Sequence, residues 1–362
     1  MSLRLLLVGA GASFSTKDVE LGYLSALRAA GVDVRFYDLE ARLGLGRQWL
    51  QRLWQARGKP PAERPSWPEV IYRGSIEALE MALRFDVDWV LAISAMYLHP
   101  DALGLMRRAG LRTAVLFTES PYEDEPQARV ASLVDMCWTT ERTSVKRLAE
   151  VNPNVRYIRH AYDPARHRQD LPLDLELPAH DVVFVGSGFA ERIEALAAVD
   201  WGHIDLGLYG EWGLLGPTNR LRRFVRGGSI SNDSAVGLYR RAKIGLNLHR
   251  SSTGFGRKAP RVRDAESLNP RTYELAACGV FQVTDERAEL RETFGDSIPT
   301  FREGQLEDVL RGYLQDSSAR RYSARQARGL VEPHTFAARA AQVLTDLDAF
   351  DALGTRSFAK GA

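Results

Sequence analysis

Twice in this chain a run of apolar residues enters a glycine turn and then a helical stretch, and this repeated start constrains the fold most. Leu3-Arg4-Leu5-Leu6-Leu7-Val8 runs into Gly9-Ala10-Gly11-Ala12, and Asp181-Val182-Val183-Phe184-Val185 runs into Gly186-Ser187-Gly188. A strand that is apolar on both faces belongs in a parallel sheet covered by helices on both sides. After each start the alternation continues. In the first half, helical spacing over 19–30 ends at Gly31, and strands follow at 32–37, 89–93, 112–117, 136–140 and 155–158. Helices are expected at 76–83 and 103–109, after an Arg- and Pro-bearing excursion over 42–67. In the second half, strands are expected at 181–186, 204–210, 243–248 and 280–284. Helices there are expected at 192–199, 234–242, 271–278, 306–314, 318–330 and 336–350. A polar, Pro-bearing stretch over 163–178 separates the halves. The pattern predicts an α/β fold of two Rossmann-like, doubly wound domains, 1–165 and 175–330, with a terminal helical segment over 331–352. At 362 residues the chain is too long for one ordinary core.

Composition narrows the function classes. The 48 basic and 46 acidic residues leave a formal net charge of +2, so no global field for nucleic acid exists, although local basic patches remain. The two cysteines, Cys137 and Cys278, form no disulfide framework and lack metal-ligand spacing, and the seven histidines are scattered singly. No stretch approaches the ~20 apolar residues of a membrane span. The short apolar start reads as a strand entering a turn rather than as a secretory leader, so a cytoplasmic location is expected.

The segment Glu266-Ser267-Leu268-Asn269-Pro270-Arg271-Thr272-Tyr273-Glu274 carries the strongest chemical signal. Asn269 suits an N-cap and Pro270 the first helical turn, so a helix starts here with free N–H groups that favour an anion such as a diphosphate. Arg271 adds a fork of donors suited to phosphate, and Glu274, one turn in, can accept from sugar or ribose hydroxyls. A capped surface helix with an i,i+3 Arg–Glu pair is the plainer reading of the same residues. Gly186 and Ser187 form a turn through which a phosphate can approach the backbone, and Gly11 is the equivalent on the first sheet. His249 follows a buried strand. Glu119 follows a first-domain strand, where a carboxylate can act as a base toward an acceptor hydroxyl. His99 and His160 are further acceptor-side candidates. The basic segment 250–263 is expected to be a mobile loop able to hold phosphates. The stretch 47–64, with Trp49 and Trp54, offers packing or base stacking.

The wider text resembles a known family. Glu266-x7-Glu274 followed by Ala-Cys-Gly is similar to the EX7E signature of retaining GT-B glycosyltransferases related to family 4. Asp181 to Ser187 with Arg192, Leu208-Tyr209-Gly210-x-Trp212, Leu238 through Asn247-Leu248-His249-Arg250, and Asn269-x-Arg271-x-x-Glu274 resemble the CgeB/YkvP spore-protein glycosyltransferase-like family. The resemblance spans about residues 155–330, and the first half matches only loosely, through its strand order and Phe117-Thr118-Glu119-Ser120-Pro121. It implies a GT-B fold with two domains facing a central cleft and the terminal helix crossing back to the first. It implies a nucleotide-sugar donor (a UDP-, GDP- or ADP-sugar), a hydroxyl acceptor, no permanently bound cofactor and no obligatory metal. By position, Glu274 would hold the ribose. Glu266 and the backbone of 267–269 would meet the sugar, and Arg271 and Arg192 would neutralise the diphosphate. Gly186, Ser187, Tyr209 and His249 would line the donor site. The family pairs its phosphate-binding arginine with a nearby lysine that Glu191-Arg192-Ile193-Glu194 lacks, so Arg271 or Lys243 is expected to substitute. Sugar transfer onto a modified base of nucleic acid, and non-catalytic nucleotide or sugar binding, are the alternatives in function.

Overall fold

A computed structural model describes residues 3–11 and 16–359. Its contacts divide the chain into two compact units, 1–158 with 336–362, and 159–335.

The first unit runs β1 (Arg4–Val8), α1 (Lys17–Ala29), β2 (Asp33–Tyr37), α2 (Leu39–Ala56), α3 (Trp67–Arg84), β3 (Trp89–Ile93), α4 (Pro100–Arg108), β4 (Arg112–Phe117), α5 (Asp124–Ala131), β5 (Met136–Thr139), α6 (Ser144–Ala149) and β6 (Val155–Tyr157). Its six strands are all parallel, in the order β2-β1-β3-β4-β5-β6. Leu5 to Val8 and Trp89 to Ile93 are essentially inaccessible to solvent, as central strands covered on both faces must be. Of the turn expected after β1, Gly9 to Gly11 are described and residues 12–13 lie outside the described residues. The N–H of Ala10 donates to Glu20 Oε2 at 2.9 Å, so a buried carboxylate closes this turn. A Cβ on Gly11 would meet Tyr97 at 2.8 Å.

The excursion over 42–67 is mostly helix. α3 starts at Trp67 rather than near residue 76, because the Ser66 side chain accepts from the N–H of Glu69 and Pro68 occupies the first turn. Trp54 donates its indole N–H to the Pro60 carbonyl at 3.1 Å, which gives it a packing role. His99 caps α4, its Nδ1 accepting from the N–H of Asp101 at 3.2 Å.

The second unit runs β7 (Val182–Val185), α7 (Ala190–Ala197), β8 (Leu206–Tyr209), β9 (Val225–Gly227), α8 (Asn232–Arg241), β10 (Ile244–Asn247), α9 (Pro270–Ala277), β11 (Gln282–Asp285), α10 (Ala288–Phe294), β12 (Thr300–Phe301), α11 (Leu306–Gln315) and α12 (Ser317–Val331). These strands are also all parallel, in the order β12-β11-β10-β7-β8-β9. The chain leaves β7 toward β8 and β9, then crosses to lay β10, β11 and β12 on the other side. The switch point therefore lies between β7 and β10, and ligands of open α/β sheets bind outside the carboxyl ends of such strands.

The last helix, α13 (Phe336–Ala359), belongs to the first unit. Phe336, Ala340, Val343 and Leu347 bury one stripe, and a Cβ on Gly22 of α1 would sit 2.2 Å from the Phe336 ring, so the two helices meet closely. Polar anchors fix α13 further along: Asp346 accepts from Trp138 Nε1 at 2.8 Å, and Asp351 pairs with Arg112.

Candidate functional site

Every strand of the second sheet runs the same way, so its carboxyl ends share one edge. Gly186 and Ser187 follow β7 there, Gly210 follows β8, His249 follows β10 by one residue, and Asp285 ends β11. The glycines permit a tight edge. A Cβ on Gly210 would lie 2.5 Å from the carbonyl oxygen of Gly186, and one on Gly186 would lie 2.8 Å from Arg271 Nη2. Arg271 thus rests directly on the turn after β7.

The helix bearing Arg271 is placed by amides. Asn247, fully buried at the end of β10, exchanges two hydrogen bonds with Asn269: its Nδ2 donates to Asn269 Oδ1 at 3.1 Å, and Asn269 Nδ2 donates back at 2.8 Å. Asn269 Oδ1 also accepts from the N–H of Thr272 at 3.1 Å, the N-cap bond of α9. The Arg271 guanidinium donates to Tyr239 Oη at 3.1 Å and makes no ion pair with a carboxylate among the described residues. Its carbon lies 5.2 Å from the centre of the Phe184 ring. Arg192 lies 5.4 Å from the same ring and donates to the carbonyl of Ser187 at 3.0 Å. Two guanidinium groups, the Gly186-Ser187 turn and the start of α9 therefore converge at the switch point.

His249 sits beside them, buried. Its Nδ1 lies 2.9 Å from Asp285 Oδ1, which also accepts the His249 backbone N–H at 2.7 Å. Those bonds leave Nε2 as the acceptor, and Nε2 has no hydrogen-bond partner among the described residues. Burial holds the imidazole pKa below its usual value despite Asp285, so the ring is neutral at pH 7. Burial would raise the Asp285 pKa, but His249 and Arg287 overcome it and hold the carboxyl at about 2.

Glu274 stands one turn into α9. Burial raises its pKa, and Arg271 and Arg166 oppose the rise. Glu266 precedes α9 and lines, with Arg263 and Arg287, a cavity of about 640 Å³. Tyr209 is aimed elsewhere: its hydroxyl lies 2.9 Å from His180 Nε2, and His180 Nδ1 lies 2.8 Å from Asp205, which precedes β8. Lys243 does not substitute for the missing lysine. It precedes β10, at the amino edge of the sheet, and is paired with Asp181 at 2.7 Å. Glu119 lies in the first unit, just beyond β4, where its carbonyl accepts from the N–H groups of Tyr122 and Glu123.

Three carboxylates and arginines that the sequence reading passed over build this edge. Glu191, on α7, accepts the backbone N–H groups of Ser251 and Ser252 at 2.7 and 3.0 Å, tying the loop after β10 to the helix after β7. Arg287 donates to the carbonyls of Ala265 and Arg250 at 2.6 and 3.2 Å. Glu289, buried, accepts the N–H of Leu268 at 2.8 Å and pairs with Arg159. The 250–263 segment, expected to be mobile, is a pinned hairpin. Ser252 bridges Arg261, Arg261 pairs with Glu194 at 2.6 Å, and Phe255 packs on Phe189.

Two parallel six-stranded sheets with surrounding helices make the fold that of the GT-B glycosyltransferases. The trehalose-phosphate synthase (UDP-forming) of Burkholderia vietnamiensis superposes with a TM-score of 0.62 at 10% identity, covering 98% of this chain and 99% of that one. The sucrose-phosphate synthase of Thermosynechococcus elongatus gives 0.60 at 14% identity, over 96% and 99%. The E. coli trehalose-6-phosphate structure bound with UDP-2-fluoro glucose gives 0.60 at 12%, over 95% and 98%.

Residues 178–345, most of the second unit, match the family described as Glycosyl transferase-like, and the chain is a glycosyltransferase. It is also similar to the spore protein CgeB of Bacillus subtilis (strain 168), 26% identical over 216 residues, which span 58% of this chain and 67% of that protein. No helix among the described residues is long and apolar enough to cross a membrane.

Proposed function

We propose that the chain transfers a sugar, with retention, from a nucleotide-sugar donor to a hydroxyl acceptor, without a metal, and that the donor binds at the carboxyl edge of the second sheet. The observation that carries this reading is the convergence of Arg271 and Arg192 on the Phe184 ring, beside a glycine turn and a helix N-terminus. Breaking the bond between the anomeric carbon and the diphosphate oxygen places negative charge on the leaving group while the sugar becomes oxocarbenium-like. Two guanidinium groups and the N–H groups at the start of α9 meet that charge as it forms, in positions fixed beforehand. Glu274 accepts from the ribose hydroxyls. Neutral His249, offering Nε2, accepts from a sugar hydroxyl, and Glu266 with the backbone of 267–269 closes on the sugar. The acceptor oxygen bonds the anomeric carbon as the bond to the diphosphate oxygen breaks, and its proton passes to the departing phosphate oxygen. The first unit supplies the acceptor side. Buried thiols at Cys137 and Cys278 suit a reducing, cytoplasmic setting.

The test is release of nucleoside diphosphate from UDP-, GDP- and ADP-sugars, followed in EDTA and then with added manganese. Turnover of at least one donor in EDTA is expected. Complete loss in EDTA with recovery in manganese would overturn metal independence.

A further inference from the structure

The opposite edge of the same sheet carries a second concentration of charge that the transfer reaction does not use. Behind Cys278 and Gly279, at the carboxyl end of α9, and beside Lys243 lies a cavity of about 600 Å³. Arg240, Lys243, Arg320, Arg321, Arg325 and Arg328 line it, and no carboxylate stands among its described lining residues. Lys243 is neutralised by Asp181, but none of the five arginines forms an ion pair within 4 Å with a carboxylate of a described residue. Their partners are neutral. Arg240 donates to the carbonyl of Gln169 at 2.6 Å, Arg320 to that of Leu314 at 3.0 Å, and Arg328 to the Gln169 side chain at 2.7 Å. The Arg325 side chain makes no hydrogen bond to a described residue.

Five like charges around one hollow, only Arg328 of which feels a nearby carboxylate among the described residues, Asp170, repel each other, so the arrangement costs stability until an anion enters. Backbone carbonyls fix Arg240 and Arg320, which leaves part of each donor fork directed by the fold rather than by solvent. Arg321, Arg325 and Arg328 recur at i, i+4 and i+7, so one face of α12 presents all three. Leu173, Val280 and Phe281 supply an apolar part of the wall. A flat, lipid-facing surface needs no such hollow, whereas this volume is that of a small-molecule site.

We propose that this cavity binds a small soluble molecule carrying at least two phosphate groups, its phosphates on the arginines and its organic body against Leu173, Val280 and Phe281. The site is separate from the proposed donor site. The eight residues of α9 set Arg271 and Gly279 about 12 Å apart along the helix, on opposite edges of the sheet.

Calorimetric titration with inorganic tripolyphosphate at physiological salt tests this on the full chain. Variants Arg271→Gln, Arg325→Gln and the triple Arg321→Gln/Arg325→Gln/Arg328→Gln are compared, with melting temperatures to show that each is folded. The wild type is expected to show saturable binding that Arg271→Gln retains. The triple variant should bind at least about tenfold more weakly and the single variant less so, as expected for lost charge-assisted bonds. Three results would overturn the proposal: wild-type affinity in the triple variant, loss of all binding in Arg271→Gln alone, or no binding by the wild type. Sulfate competing equally at equal ionic strength, or binding to phosphatidylglycerol vesicles in place of tripolyphosphate, would also refute it.

Discussion

At the residue scale Glu274 and Asp285 pull stability in different directions. Glu274 has a folded pKa above its unfolded value. Its contribution is therefore fully present below the unfolded pKa, and lost as pH rises through the folded one. Ionising it in the ligand-free protein therefore costs stability. Glu274→Gln should raise the melting temperature of the ligand-free protein at pH 7, while weakening nucleotide binding. A lower melting temperature with unchanged binding would make the residue structural. Asp285 behaves oppositely. Held at about 2, it stabilises above the unfolded pKa and loses that contribution as pH falls toward 2. His249, with its pKa lowered, also costs stability on acidification, because the unfolded ring takes up the proton first. By linkage Asp285 is worth roughly 2 kcal/mol at neutral pH. Denaturant titrations at pH 7 and pH 2 should show Asp285→Asn destabilised at pH 7 and much closer to the wild type at pH 2. An equal loss at both pH values would contradict the pairing.

At the element scale, what was legible in the sequence was whatever has a period or a cap. The apolar runs of β1, β3, β7 and β10, and the Asn-Pro start of α9, announce themselves over a few adjacent residues. β9 and β12, three and two residues long, carry no readable period, and α5 and α6, eight and six residues long, span only about two helical turns each. The start of α3 was masked by the prolines before it, although Ser66-x-x-Glu69 spells a capping box. The anchors Glu191, Arg287 and Glu289 were illegible for another reason. Their partners lie tens of residues away, and only the tertiary fold brings a helix carboxylate to a distant loop N–H. Close packing of α1 on α13 belongs to the same class, since nothing near Gly22 names Phe336. Phe336→Ala should cost about 3 kcal/mol in denaturant unfolding. Gly22→Ala should cost about 1–3 kcal/mol through overlap with that ring. The two changes together should cost less than their sum, because removing the ring makes room for the methyl group. Strict additivity would show that the helices do not meet there.

At the scale of the whole molecule, the chain builds two parallel six-stranded sheets in different strand orders, and the sheets carry different chemistry at their carboxyl edges. The first sheet's turn after β1 is closed by a carboxylate, Glu20, which is itself paired with Lys17. The corresponding turn after β7 is overlaid by an arginine. The proposed donor site rests on that arginine-bearing turn. The sequence showed the glycines of both turns alike, and only the structure distinguishes what lies over them. The spacing Glu266-x7-Glu274 was readable, but the placement of its members was not: Asn247 docks the helix, and Glu289 holds the loop before it. The most direct measurement is calorimetric binding of nucleoside diphosphates to the wild type and to Arg271→Ala, in EDTA. The account predicts saturable binding of at least one of UDP, GDP or ADP to the wild type, weakened about 10²-fold in Arg271→Ala at an unchanged melting temperature. Equal affinity in the two proteins, or no binding of any of the three to the wild type, would contradict it.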